Sequence, residues 1–295
     1  MKAFIFPGQG SQFTGMGHDL YHSSSIAKKM FETGNKLLGF DICKIMFEGQ
    51  AEALKQTNVT QPAIFLHSVI LARCIHNFNP NMVAGHSLGE FSALVSANAI
   101  SFEDGLKLVM QRAEAMHTAC KLKKSSMAAI IGLDSKIIER ICEKENKIVV
   151  IANYNAPNQI VISGDTNAVE STCIKLADIG AKRTVLLPVG GAFHSPLMEP
   201  AKRKLKIAID DIHFNKPICP IYQNVSAKPI LEQKKLKENL IQQLTSSVQW
   251  YQTINNMIND GAKKFIEVGP GNVLVGLNRR INRDVSSEKA KLENN

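Results

Sequence analysis

The chain has 295 residues, 44% hydrophobic and 21% charged, and carries a formal net charge of +9. That length and apolar share suit one large globular unit or two unequal domains with ample core. No run of 18 apolar residues occurs, which excludes a transmembrane helix. The positive balance favours anionic partners, but one Trp and no basic run interleaved with aromatics argue against nucleic acid.

Met1–Gly8 passes straight into a short strand and a turn, too soon broken for a signal peptide, so a cytoplasmic protein is expected. Ala3–Phe6 is predicted as that strand, and Pro7-Gly8-Gln9-Gly10-Ser11-Gln12 as a loop whose backbone can approach another group closely. Weakly helical stretches follow at 24–38 and 50–56. Gln61-Pro62 then introduces an apolar helix over Ala63–Phe78, ahead of a strand at Met82–Ala84.

Gly85-His86-Ser87-Leu88-Gly89 fits G-x-S-x-G, with a strand before it and the apolar helix Phe91–Val95 after it. That is the context of a nucleophile elbow, where a strained turn lifts the serine hydroxyl clear of the sheet. Ser87-x-x-Glu90 is equally a capping box, which would make Ser87 a helix cap and nothing more. His86 adjoins the serine on the opposite side of the turn and reads as packing. Ser101 caps a further helix whose stripe is Leu106, Val109, Met110 and Ala113. Arg112 lies off the centre of that stripe, where residue type and position predict a solvated side chain.

From about 124 the rhythm changes. Strands at Met127–Leu133, Ile148–Ala152, Ile160–Ser163 and Thr184–Pro188 alternate with helices Ser135–Glu145 and Asn167–Ile179. This β-α-β-β-α-β order predicts a ferredoxin-like subdomain over 124–190, inserted into a large α/β domain made of 1–123 and 191–295. The large domain should have a mainly parallel sheet, because its strands alternate with helices. Gly190-Gly191-Ala192-Phe193-His194-Ser195-Pro196 is a glycine-rich loop after a predicted strand, and His194 is the best placed of the eight histidines to serve Ser87 as a base. Beyond it come a helix at Met198–Ile209, a strand at Ile218–Asn224, helices at Lys234–Leu244 and Tyr251–Asp260, a strand at Lys264–Val268 and a helix at Val273–Ile281. The polar tail from Asn282 is expected to fray. Six cysteines show no C-x-x-C and no histidine at ligand spacing, so reduced thiols and no metal site are expected.

Taken together, Phe6–Gln12, Gly85–Ser92, Arg112, Ala192-Phe193-His194-Ser195, Val248-Gln249-Trp250 and Glu267–Gly271 resemble the malonyl-CoA:acyl carrier protein transacylases of fatty acid synthesis. The blocks follow the family's order over roughly residues 3–280. The resemblance implies an α/β hydrolase-like domain with the inserted ferredoxin-like subdomain, and an acyltransferase that moves malonyl from malonyl-CoA to the phosphopantetheine thiol of acyl carrier protein. Ser87 would carry the acyl group and His194 would act as base, with the backbone carbonyl of Gln249 orienting the histidine. The N–H groups of Leu88 and Gln9 would form the oxyanion hole, and Arg112 would grip the malonyl carboxylate. No metal or redox cofactor is implied. The implied partners are malonyl-CoA and an acidic carrier protein, with the chain itself a monomer. Two alternatives stay open: a thioesterase using the same serine and histidine, and a non-catalytic carrier-protein binding module. Within the family, polyketide synthesis is the alternative pathway.

Overall fold

A computed structural model describes residues 1–76 and 78–292. Asn77, inside the helix predicted to reach Phe78, lies outside the described residues, as do the last three of the tail. Among the described residues ten strands are present: β1 Lys2–Phe6, β2 Met82–Gly85, β3 Ser125–Ile131, β4 Val149–Ala156, β5 Gln159–Asp165, β6 Arg183–Leu186, β7 Ile221–Tyr222, β8 Pro229–Ile230, β9 Lys264–Glu267 and β10 Ser286–Lys289. They form two sheets. The larger has the order β10-β9-β1-β2-β7-β8 and is parallel except for β8. The smaller, built wholly from residues 125–186, is antiparallel with the order β4-β5-β3-β6. The mainly parallel sheet and the ferredoxin-like strand order both agree with the pattern read from the sequence.

A central parallel strand is covered on both faces, so its residues are apolar without alternation. Phe4 and Phe6 of β1 enter the core shared with the buried helix Thr57–Cys74, while Ala3 and Ile5 enter a second core around Trp250, Phe265 and Leu274. That buried helix starts at Thr57, ahead of the predicted start, and contains Pro62. A proline this near the amino end forfeits one backbone bond, which the packing of an almost wholly buried helix offsets.

Over its described residues the tail does not fray. Ser286–Lys289 pairs in parallel with β9, and Ala290 donates its N–H to the Glu267 carbonyl at 2.8 Å. Ser286-Ser287-Glu288-Lys289 has no apolar period, and an edge strand of this kind is held by its backbone ladder.

The parallel strands set the place of the site. Ligands of open α/β sheets bind beyond the carboxyl ends of the strands. Here β1 runs into Gln9, β2 into Ser87, β7 into Asn224 and β9 into the Gly269-Pro270 turn. These loops meet closely because they lack side chains. A Cβ on Gly85 would fall 1.9 Å from the Gly89 carbonyl carbon, one on Gly89 2.0 Å from the Phe6 oxygen, and one on Gly8 2.5 Å from the His86 oxygen. All these obstacles are backbone, which cannot step aside. Gly89→Ala is therefore expected to destabilise the fold by about 3 kcal/mol or more, at the top of the overpacking range. A urea-unfolding midpoint within error of wild type would refute this.

Candidate active site

Ser87 stands between β2 and the helix Gly89–Ser96 with φ +52°, a left-handed conformation that costs a non-glycine residue about 1–3 kcal/mol. The capping-box reading fails on geometry. The Ser87 hydroxyl caps no helix, and the Glu90 carboxylate turns inward to accept from the Asn224 N–H at 2.8 Å and from Gln223 Nε2 at 3.1 Å. Asn224 then holds the elbow from both sides: its Oδ1 accepts from the Ser87 N–H at 2.7 Å, and its Nδ2 donates to the Gly85 carbonyl at 2.6 Å. Gln243 Nε2 donates to the Ser87 carbonyl at 3.0 Å. Every polar backbone group of the strained turn that these side chains reach is thereby fixed.

His194, also in the left-handed region (φ +56°), is 4% exposed, and its Nε2 lies 2.7 Å from Ser87 Oγ. Its Nδ1 is 2.9 Å from the Gln243 carbonyl and 3.2 Å from the Ser246 carbonyl. Both neighbours of Nδ1 are acceptors, so the proton is on Nδ1 and Nε2 presents its lone pair to the serine hydroxyl. Burial, reinforced by the charge of Arg112, pushes the imidazole down to about 3, which keeps it neutral.

The orienting carbonyl expected from Gln249 is thus supplied by Gln243 and Ser246. The Gln249 carbonyl is committed to the Thr253 N–H at 2.8 Å, in the first turn of helix Trp250–Asn259, and its own N–H donates to the Asn224 carbonyl. The block around it has a structural task. Val248 exchanges backbone bonds with Ala152 and Tyr154 of β4, which ties the small sheet to the large one.

Arg112 is 1% exposed, against the solvated position its sequence context predicts. Its guanidinium donates to Gln61 Oε1 at 2.7 Å, Ser87 Oγ at 3.0 Å and Gln243 Oε1 at 3.2 Å, lies over the Phe91 ring, and leaves Nε without a partner. Burial lowers it to about 10, so it stays charged at neutral pH. Among the described residues no carboxylate makes an ion pair with it. The nearest compensating charge is Glu90, itself pushed up to about 7 by burial. A buried cation paired only with neutral amides and a hydroxyl is costly unless an anion arrives.

Gln9, Ser87, Leu88, Arg112 and His194 line one cavity of about 180 Å³. Among the described residues the N–H groups of Gln9 and Leu88 have no protein acceptor, and Leu88 immediately precedes a helix, where partial positive charge gathers. His86, read from the sequence as packing, does contact Trp250 but also lines the cavity and bonds Asn155 Oδ1 at 2.8 Å. The glycine-rich loop before His194 is pressed onto the helix Phe102–Leu122, since a Cβ on Gly191 would fall 2.1 Å from Cys120 Sγ.

Residues 3–291 match the acyl transferase domain family. The chain is 42% identical over 286 residues to the malonyl CoA-acyl carrier protein transacylase of Bacillus subtilis (strain 168), covering 95% of this chain and 90% of that one. It is a member of the malonyl CoA-acyl carrier protein transacylase family of acyl transferases. The solved structure of the transacylase from Coxiella burnetii superposes with a TM-score of 0.95 at 38% identity, covering 98% of this chain and 93% of that one. A malonyl-transacylase in complex with a type II PKS acyl-carrier protein does so with 0.95 at 36% identity, covering 98% and 95%.

Three residues of this acyl transferase site escaped sequence reasoning. Gln243 fell at the end of a predicted helix, and lies in the 3-10 turn Gln243–Thr245 that follows it. Asn224 closed a predicted strand, and Gln61 introduced a predicted helix. Each is an amide whose role is set by partners distant in the chain, and no local pattern marks such a role.

Proposed function

We propose that this acyl transferase moves a malonyl group from malonyl-CoA to the phosphopantetheine thiol of acyl carrier protein through a malonyl ester on Ser87. Such transfer would supply fatty acid synthesis. The observation that carries the substrate assignment is Arg112: a buried guanidinium without a carboxylate partner, bonded to the oxygen of the nucleophile. Malonyl ends in a carboxylate that can take two parallel N–H bonds there.

Ser87 Oγ attacks the thioester carbonyl as its proton passes to His194 Nε2. The carbonyl oxygen becomes an oxyanion facing the Gln9 and Leu88 N–H groups, each such donor being worth about 3 kcal/mol in the transition state. Collapse breaks the C–S bond, and the imidazolium returns its proton to the departing CoA sulfur. In the second half the carrier-protein thiol gives its proton to His194 and its sulfur attacks the ester. Collapse then breaks the C–Oγ bond, and Oγ recovers the proton. The imidazolium is supported by the Gln243 and Ser246 carbonyls in place of a carboxylate. Neither half needs a metal or redox cofactor.

Intact-mass spectrometry after mixing the protein with malonyl-CoA tests the scheme. A malonyl adduct is expected on Ser87, and it should discharge when holo carrier protein is added. Free malonate accumulating with no adduct and no malonylated carrier protein would mean a hydrolase.

A further inference from the structure

Glu90, the second residue of helix Gly89–Ser96, is wholly buried, as are Gln223 and Asn224 just past the end of β7. Among the described residues it makes no ion pair. A carboxylate buried without a cation is costly, so the hydrogen bonds it accepts have to carry its charge. Its two oxygens divide two donors: Oε2 takes the Asn224 N–H and Oε1 takes Gln223 Nε2. Neither donor is free to turn away. Asn239 Nδ2, from helix Gln233–Gln242, donates to Gln223 Oε1 at 2.9 Å, and Gln223 Nε2 also donates to the Leu236 carbonyl at 3.0 Å. Gln223 therefore presents only N–H to Glu90.

Asn224 is fully spent. Its side-chain amide takes the Ser87 N–H and gives to the Gly85 carbonyl, its own N–H goes to Glu90, and its carbonyl accepts from the Gln249 N–H at 3.0 Å. Three of its four polar groups thus bind the elbow segment from Gly85 to Glu90. The same carboxylate reaches, through Gln223 and Asn239, the helix that leads into the turn Gln243–Thr245. Gln243 in that turn touches the Ser87 carbonyl, Arg112 and His194. One buried charge therefore sets the register of the elbow, the end of β7 and the helix that delivers Gln243.

We infer that Glu90 is a positioning residue for acyl transfer: its carboxylate locks Asn224, which holds the strained Ser87 turn so that Oγ faces His194. The inference rests on the proposed chemistry at Ser87. A carboxylate is needed because both of its oxygens face N–H groups. The amide of Glu90→Gln would set an NH2 against one of these donors, and a proton on the carboxyl would set an O–H there. Gln223, Asn224 and Gln243 packed around it are neutral, and the charged group acting on it is Arg112. Burial raises the carboxyl to about 7 while Arg112 opposes the rise. The ionised, clamping form prevails above that value, so the clamp loosens as pH falls through it.

The test labels Ser87 with an uncharged fluorophosphonate, which reports the hydroxyl without a carboxylate for Arg112 to grip, alongside malonyl transfer. Glu90→Gln should slow labelling and kcat about 10²-fold, the scale of a 1 Å misplacement, without raising the KM for malonyl-CoA. Wild-type labelling should fall from pH 8 to 5 with a midpoint near 7, while Glu90→Gln stays slow and flat. In Arg112→Ala the limb should persist at higher pH, because the charge that lowers Glu90 is gone. Asn224→Ser, which keeps the main-chain bond to Glu90 and loses both amide bonds, should slow labelling alike, and the double variant should be little worse. That variant carries the test if Glu90→Gln does not fold, as urea unfolding would show. Labelling of Glu90→Gln at the wild-type rate, or losses that add in the double variant, would overturn the clamp. A limb that vanishes in Arg112→Ala would also overturn it, by making Glu90 only a counter-charge. Should Ser87 take the fluorophosphonate but no malonyl group, the proposed function falls, and the labelling rates still decide the clamp.

Discussion

His194→Ala will lower malonyl transfer by at least about 10⁴-fold while leaving the unfolding midpoint near that of wild type. Ser87→Ala will do the same and will also lose the acyl adduct. Members of such a unit fail together, so the double variant should be little worse than either single one. The pH profile separates His194 from an ordinary histidine. A base works in its neutral form, which prevails above its pKa, and burial with the charge of Arg112 holds this imidazole down to about 3. As pH falls from 8 to 5, kcat/KM, which reports the free enzyme, should therefore lose nothing through His194. The other buried titratable groups of the site are His86, which acts on His194 and is also lowered by burial, and Glu90, which acts on Arg112 and is raised to about 7 by burial. A limb near neutrality would belong to Glu90, whose ionised form offsets Arg112, and Glu90→Gln should remove it. In the substrate complex the malonyl carboxylate compensates Arg112, which lifts the imidazole. The acid limb of kcat should then lie at higher pH than any His194 limb of kcat/KM. A limb near pH 6.5 in kcat/KM that survives Glu90→Gln would show the histidine to be solvated and this account of its environment to be mistaken.

The parts of this architecture legible in the sequence are those written locally. The buried run Ala3–Phe6, the elbow between β2 and its helix, and the alternation of strands and helices over 125–186 each carry their period in consecutive residues. The strand β10 does not, because Ser286–Lys289 has no apolar alternation and owes its place to the exposed ladder of β9. The site divides along the same line. Ser87 and His194 were readable because each occupies a strained, glycine-flanked turn. Arg112 was not readable from its helix, since the residue type at that position is ordinarily solvated, and only the family resemblance gave it a role. Gln249 was misread for a related reason. Which carbonyl faces His194 depends on how the 3-10 turn Gln243–Thr245 packs against the elbow, and beyond Ser246 the carbonyl of Gln249 serves helix Trp250–Asn259 instead.

Arg112→Ala will cut malonyl loading of Ser87 by about 10²-fold or more and will bring acetyl-CoA and malonyl-CoA towards parity as donors. Truncating one partner of a buried charge pair costs about 2–5 kcal/mol, and each 1.4 kcal/mol is a factor of ten. The wild-type geometry shows why the loss should fall on malonyl. In the free enzyme the guanidinium spends one bond on Ser87 Oγ and the rest on the Gln61 and Gln243 side-chain oxygens. An arriving carboxylate offers the charge these neutral acceptors lack, and it draws the guanidinium off the nucleophile just as the hydroxyl must turn to His194. An acetyl group brings no charge, so it meets a serine oxygen still held by Arg112 beside an uncompensated cation, and a site of this kind rejects the substrate that leaves its polar group unpaired. Arg112→Lys is not conservative here, because an ammonium cannot reach Gln61, Gln243 and a carboxylate in one plane. It should recover the charge preference in part and the rate hardly at all. Equal loss of acetyl and malonyl loading in Arg112→Ala would point instead to a collapse of the Gln61–Gln243 frame, which Gln243→Ala would then reproduce with Arg112 in place.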